Sequence, residues 1–136
     1  MIGSLNDGII IIDGFEISPS TKITEVINYF PNEEIKIFAN GESVRFIKPV
    51  MLGNKNFYVR LASANSLITS VNLVVFDPAL NEWDVEPNAD LHGEWLCEQL
   101  GYPQGLLDEN LFNWGKIIQW EDFRSRHTQI NILYNN

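Results

Sequence analysis

The sequence predicts a single α+β domain over residues 1–136, a mainly antiparallel sheet with two helices packed on one face. Three observations carry this. Short strand-like runs follow one another across hairpin turns. Only two segments have helical periodicity. No strand–helix–strand spacing of the crossover type occurs between them.

Gly8–Asp13 and Phe15–Ile17 flank Asp13-Gly14, a strong turn dipeptide, and read as a tight hairpin. Ser18-Pro19-Ser20-Thr21 opens the first helix, because proline fits the first turn and Ser or Thr caps free amides. Ile23, Val26, Ile27 and Phe30 then recur at helical spacing, and Pro31 closes the segment. Ile35–Ala39 and Ser43–Lys48 flank Asn40-Gly41, the strongest hairpin signal in the chain. Pro49 and Gly53-Asn54 mark a longer connection. Asn56–Ala62 and Ser66–Phe76 flank a short turn around Ala64-Asn65. Leu67, Thr69, Val71, Leu73 and Val75 share one face of the latter strand. Ile68, Ser70, Asn72, Val74 and Phe76 share the other. Two partly apolar faces predict a central strand.

Asp77-Pro78 begins an acidic loop. The second helix is expected over Ala89–Leu100, capped by Asn88 or Asp90, with Gly101 at the left-handed C-terminal position and Pro103 beyond it. Leu91, Trp95, Leu96 and Leu100 form its apolar side, while Asp90, Glu94 and Glu98 form an acidic ridge at i, i+4 and i+8. Gly105–Asn113 reads as irregular loop. Lys116–Trp120 and Thr128–Tyr134 are the last two strands, about a turn at 122–126.

Charge is the main functional clue. The chain carries a formal net charge of −9. Between Leu61 and Gly115 there is no Lys or Arg, but there are nine carboxylates. The acidity is therefore local, and a local field steers a partner of opposite charge. A direct nucleic-acid partner is disfavoured, since phosphate binding needs a basic surface and the pI is near 4.5. The apolar content of 45% and the length of 136 residues suit one packed domain. A single cysteine, Cys97, suggests a reducing compartment. No signal-peptide pattern or membrane-length apolar run is present, so the expected location is the cytoplasm.

Chemistry-bearing motifs are sparse. His92 lies in the apolar arc of the second helix, and Asp90-x-His92-x-Glu94 diverges too far on a helix to close on one metal. Cys97 lies beside carboxylates, which disfavour a thiolate. No nucleophile elbow, phosphate loop or calcium-loop spacing occurs, so neither a catalytic residue, a metal nor a cofactor is predicted. Trp83 stands between Glu82 and Asp84. An aromatic amid carboxylates suits a basic protein surface, offering stacking and charge together. Folding back over the sheet end is its alternative use. Trp114-Gly115-Lys116 and Asp122-x-Arg124 read as a structural hairpin.

The last 45 or so residues also carry a resemblance. A helix with His92, Trp95, Leu96, Leu100 and Gly101, then Trp114-Gly115-Lys116-Ile117, Asp122-x-Arg124 and Ile130-x-Ile132-x-Tyr134, resembles small bacterial toxin-immunity proteins, including those of contact-dependent inhibition. The resemblance implies a non-enzymatic cytoplasmic protein that blocks a cognate toxin, often a basic nuclease.

The expected function is binding to a basic protein through Glu82, Trp83, Asp84, Glu86, Asp90, Glu94 and Glu98. Two other readings stand beside it: a small enzyme or ligand-binding domain with a pocket near His92 and Trp95, and a self-associating protein.

Overall fold

The computed structural model describes residues 3–81, 83–101, 109–122, 124 and 126–135. A 3-10 turn at Leu5–Asp7 leads into a hairpin of β1 (Ile10–Ile12) and β2 (Phe15–Ile17). Its turn residues Asp13 and Gly14 have φ of 51° and 80°, the double left-handed geometry of the expected tight turn. Helix α1 (Ile23–Tyr29) follows, then β3 (Glu34–Phe38), β4 (Gly41–Arg45), β5 (Val50–Leu52), β6 (Lys55–Ala64) and β7 (Leu67–Phe76). Helix α2 (Val85–Leu100) precedes β8 (Glu109–Phe112), β9 (Gly115–Asp122) and β10 (His127–Tyr134).

The fold is α+β, and every strand pairing is antiparallel. The main sheet has the order β3-β4-β6-β7-β10-β9-β8. β5 pairs with β6 beyond the end of β4, on the same edge, and the Phe46 N–H to Val59 O bond at 2.9 Å carries the ladder between them. β7 is central, as its two apolar faces predict. Both helices lie on one face, where one cluster joins Val26 of α1 and its C-cap Phe30 to Val44, Phe46, Phe57, Leu73, Trp95, Leu96, Ile130 and Ile132.

Several boundaries differ from those expected. Helix α1 begins only at Ile23, because Thr21 O accepts Ile68 N–H at 3.1 Å and Ile23 N–H donates to Ser66 O at 2.9 Å. That pairing with the start of β7 claims the backbone that Ser18–Thr21 would have given to a helix. Lys22 is the N-cap, and Glu25 reaches back to its N–H at 3.3 Å. Helix α2 begins four residues earlier than expected, with Asp84 rather than Asn88 or Asp90 as N-cap. Pro87 falls in its first turn, where a missing N–H costs no intrahelical bond. The expected connection after Pro49 contains β5, and the expected loop at 105–113 ends in β8; residues 105–108 lie outside the described residues.

Ile68 belongs to the core face of β7, not to the outer one. A bulge shifts the β6–β7 register, from Ala62↔Ser70 to Ser63↔Ile68, leaving Thr69 as the extra residue. The alternation therefore slips by one, and Ile68 is fully buried with Val71 and Leu73. The turn before β4 is also displaced. Phe38 pairs with Gly41, so Ala39-Asn40 make the turn and Gly41 is already in the strand. Ser63 caps this corner, accepting Glu42 N–H at 3.0 Å and donating to Glu42 Oε2 at 2.7 Å.

Gly41 is required there by close approach, because a β-carbon would collide with the Ser63 carbonyl oxygen. Gly101, at φ 77°, caps α2 with nothing within 4 Å of a β-carbon. Gly41→Ala is accordingly expected to cost about 2–3 kcal/mol, from the forced backbone shift. Gly101→Ala should cost only about 1–2 kcal/mol, from the left-handed backbone alone. Urea unfolding of both variants measures the difference.

Candidate functional site

The loop from Asp77 to Asp84 is knit by side chain to backbone bonds. Asp77 Oδ1 accepts Ala79 N–H at 2.9 Å. Asn81 Oδ1 accepts Trp83 N–H at 2.9 Å, and Asp84 Oδ2 accepts Asn81 N–H at 3.0 Å. Asn88, buried in the first turn of α2, donates from Nδ2 to Asn81 O at 3.0 Å. These short polar side chains satisfy local amides that no ladder reaches. Asp77 and Asp84 are thus spent in part on shaping the loop.

The loop presents Trp83, which is 56% exposed. Trp83 lines a cleft of about 410 Å³ with Tyr58, Val74, Phe76, Asp77 and Leu80. Tyr58 and Phe76 meet edge to face at 5.5 Å and are themselves partly exposed. An aromatic cleft with Asp77 on its wall offers ring faces and a carboxylate to an Arg or Lys side chain.

The structure divides the residues expected to bind a partner. The early start of α2 adds Glu86 to the ridge, one turn before Asp90. Glu86 and Asp90 are exposed, and neither side chain has a hydrogen bond or ion pair among the described residues. Glu94 is instead paired with Lys55 Nζ at 3.3 Å. Glu98 accepts Asn54 Nδ2 at 3.1 Å, which offsets its place at the negative end of the helix. The outer half of the expected ridge therefore holds α2 against the β5–β6 turn, and only its first half is unengaged. Glu82 lies outside the described residues. Tyr58 and Phe76 were missed as site residues. The signal lay in the outward alternation of two adjacent strands, which places both rings beside the acidic loop.

Among the described residues no open pocket is formed at His92 and Trp95, both of which are fully buried. Trp95 Nε1 donates to Leu52 O at 2.8 Å, which ties α2 to β5. His92 reaches into the sheet. The β7–β10 ladder stops at Leu73↔Ile130, and Val75 and Thr128 lie two positions beyond it on the core side. His92 Nε2 accepts the Val75 N–H at 2.9 Å. The ring proton therefore sits on Nδ1, towards Thr128 Oγ1 at 3.3 Å, and that hydroxyl donates onward to Trp120 O at 3.0 Å. His92 is thus a fully bonded neutral imidazole. Burial, and secondarily the charge of His127, pushes its pKa down to about 3. His127 opens β10, with Nε2 at 2.8 Å from Gln129 Oε1. Trp114 is structural, as expected, donating to Asn6 O at 2.8 Å. Cys97 is buried in α2. Among the described residues no group of His, Cys, Asp or Glu side chains is placed to hold a metal, and no helix is long and apolar enough to cross a membrane.

A group with a depressed histidine pKa supports the fold fully above the unfolded value near 6.5 and loses that support as pH falls towards the folded value. Wild-type stability should therefore decline below pH 6.5 with a His92 contribution approaching about 1.4 kcal/mol per pH unit. His92→Leu should cost about 2–3 kcal/mol at pH 7, by stranding the Val75 N–H, and should flatten that decline. Urea midpoints for both proteins between pH 4 and 8 would reveal it. No protein-family profile, curated protein or solved structure matches this chain.

Proposed function

We propose that this protein is a non-enzymatic binding domain that captures a basic protein partner at the aromatic cleft and the adjoining start of α2. The cleft of Trp83, Tyr58, Phe76 and Asp77 is the observation that carries the reading. A cationic side chain of the partner inserts there, stacked on the rings and neutralised by Asp77. Glu86 and Asp90, which no cation engages among the described residues, pair with further basic residues outside it. The carboxylates beside the cleft speed encounter with a basic partner and make binding salt-sensitive.

The finer reading is that of an immunity protein acting in the cytoplasm on a toxin nuclease. It is supported by the resemblance of the C-terminal segment and by the electrostatics. A nuclease cleft is basic because it binds phosphates, and carboxylates on a firm helix imitate those phosphates. Glu94 and Glu98 belong to this surface less than Glu86 and Asp90 do, since they are already bonded to Lys55 and Asn54.

Pull-down from bacterial lysate at low and high salt tests the reading. Wild type should retain a basic protein that is released as salt rises. Trp83→Ala should weaken the isolated complex by about tenfold or more, and Glu86→Lys with Asp90→Lys should weaken it further and abolish the salt dependence. Full retention by both variants would exclude this surface.

A further inference from the structure

On the sheet face away from the two helices, the β3–β4–β6 part carries charge opposite to that of the acidic loop. One row of register partners crosses it: Glu34↔Arg45↔Arg60↔Asn72↔Asn131. Arg45 and Arg60 stand directly opposite each other on β4 and β6. Two like charges in that relation disfavour the sheet. Glu34 relieves only one of them. Its Oε2 accepts Arg45 Nε at 3.2 Å and Nη2 at 2.6 Å, and its Oε1 lies 3.5 Å from Lys36 Nζ. The Arg45 guanidinium holds the Glu34 carboxyl below its usual range.

The Arg60 side chain has no hydrogen bond or ion pair among the described residues, and the Ser43 hydroxyl has none either. Both open onto one cleft of about 340 Å³, which Lys36, Arg45, Glu34 and Phe38 complete. Three cations face one carboxylate there, in a chain whose net charge is −9. The Arg60 fork, the remaining Arg45 Nη1 and the Ser43 hydroxyl are all donors, and half-exposed Phe38 supplies an apolar wall. We infer that the cleft between Lys36, Arg45 and Arg60 binds an oxyanion, the phosphate or carboxylate group of a small ligand. The anion sits between the two guanidinium groups, removes their repulsion and accepts from Ser43. Glu34 then acts as the resident competitor for Arg45. The site is separate from the aromatic cleft and does not depend on the function proposed for it.

Nitrogen-15 spectra of the arginine side chains test this, with inorganic phosphate and acetate titrated separately at constant ionic strength. Saturable shifts of Arg45 and Arg60 are expected with at least one of the two anions. Saturation by phosphate alone identifies a phosphate ligand, and saturation by acetate alone a carboxylate. Arg60→Gln should weaken binding about tenfold or more, and Arg60→Lys should weaken it less, because charge survives but the fork does not. Glu34→Gln should strengthen binding severalfold by freeing Arg45. A residue that merely supports the hairpin would not give opposite signs at Arg60 and Glu34. Because Glu34→Gln also removes an ion pair, thermal melts check the fold, and Lys36→Gln provides a second weakening variant at an exposed position. Non-saturating shifts equal to those in chloride, or unchanged affinity in both Arg60→Gln and Glu34→Gln, would overturn the inference.

Discussion

A neutral imidazole stands where two central strands stop bonding to each other, and the rest of the architecture is arranged around it. β7 and β10 part after Leu73 and Ile130. A buried amide left unpaired at Val75 would cost roughly 1–3 kcal/mol. His92 supplies the missing acceptor from a helix, not a strand, and so fixes α2 against both strands at once. Trp95 and Gln119 complete the seating, one through Leu52 O and the other through Ala89 O, each at 2.8 Å. Phe57 stacks on His92 and meets Trp95 edge to face, so the polar clamp is sealed within the core. Both ring nitrogens of the one histidine of α2 are thereby engaged within the fold.

The seating of α2 decides which carboxylates remain available. One ridge of acids along the helix is divided by what lies beneath it. Lys55 and Asn54, at the β5–β6 turn, take Glu94 and Glu98, while nothing described reaches Glu86 or Asp90. The acidic stretch is therefore not a uniform field but a set of charges with separate work. Across the sheet the pattern inverts. Tyr58 and Arg60 are alternate residues of β6 on the same outward face, the first in the aromatic cleft and the second in the cationic one. A separation of about 7 Å along the strand places sites of opposite character side by side.

Features determined by adjacent residues were legible in the sequence. Asp13-Gly14 specifies its turn because both positions need left-handed backbone, and Ile23, Val26 and Phe30 reveal one helical face by spacing alone. The α+β class follows from such local signals. What escaped depends on distant partners. The late start of α1 needs Ser66 and Ile68 to claim its backbone, and the burial of Ile68 needs a bulge opposite Ser63. β5 is too short to declare itself without the free edge of β6. At the candidate site Trp83 and its acids were visible as an unusual cluster. Tyr58 and Phe76, and the division of labour along α2, were not, because each requires knowing which strands lie side by side. The guanidinium pair of Arg45 and Arg60 is invisible for the same reason.

The position of β10 between β7 and β9 also sets an order of events. During synthesis the inner edge of β7 must wait, unpaired and apolar, while α2, β8 and β9 leave the ribosome. Closing a gap of that length slows folding, and a waiting edge of alternating Val and Leu invites pairing with another chain. The departure of β10 from β7 at Val75 limits the hazard, since the last part of that edge is claimed by a side chain that emerges sooner. His92 precedes Thr128 in the chain, so the acceptor for the Val75 N–H is synthesised before the facing strand.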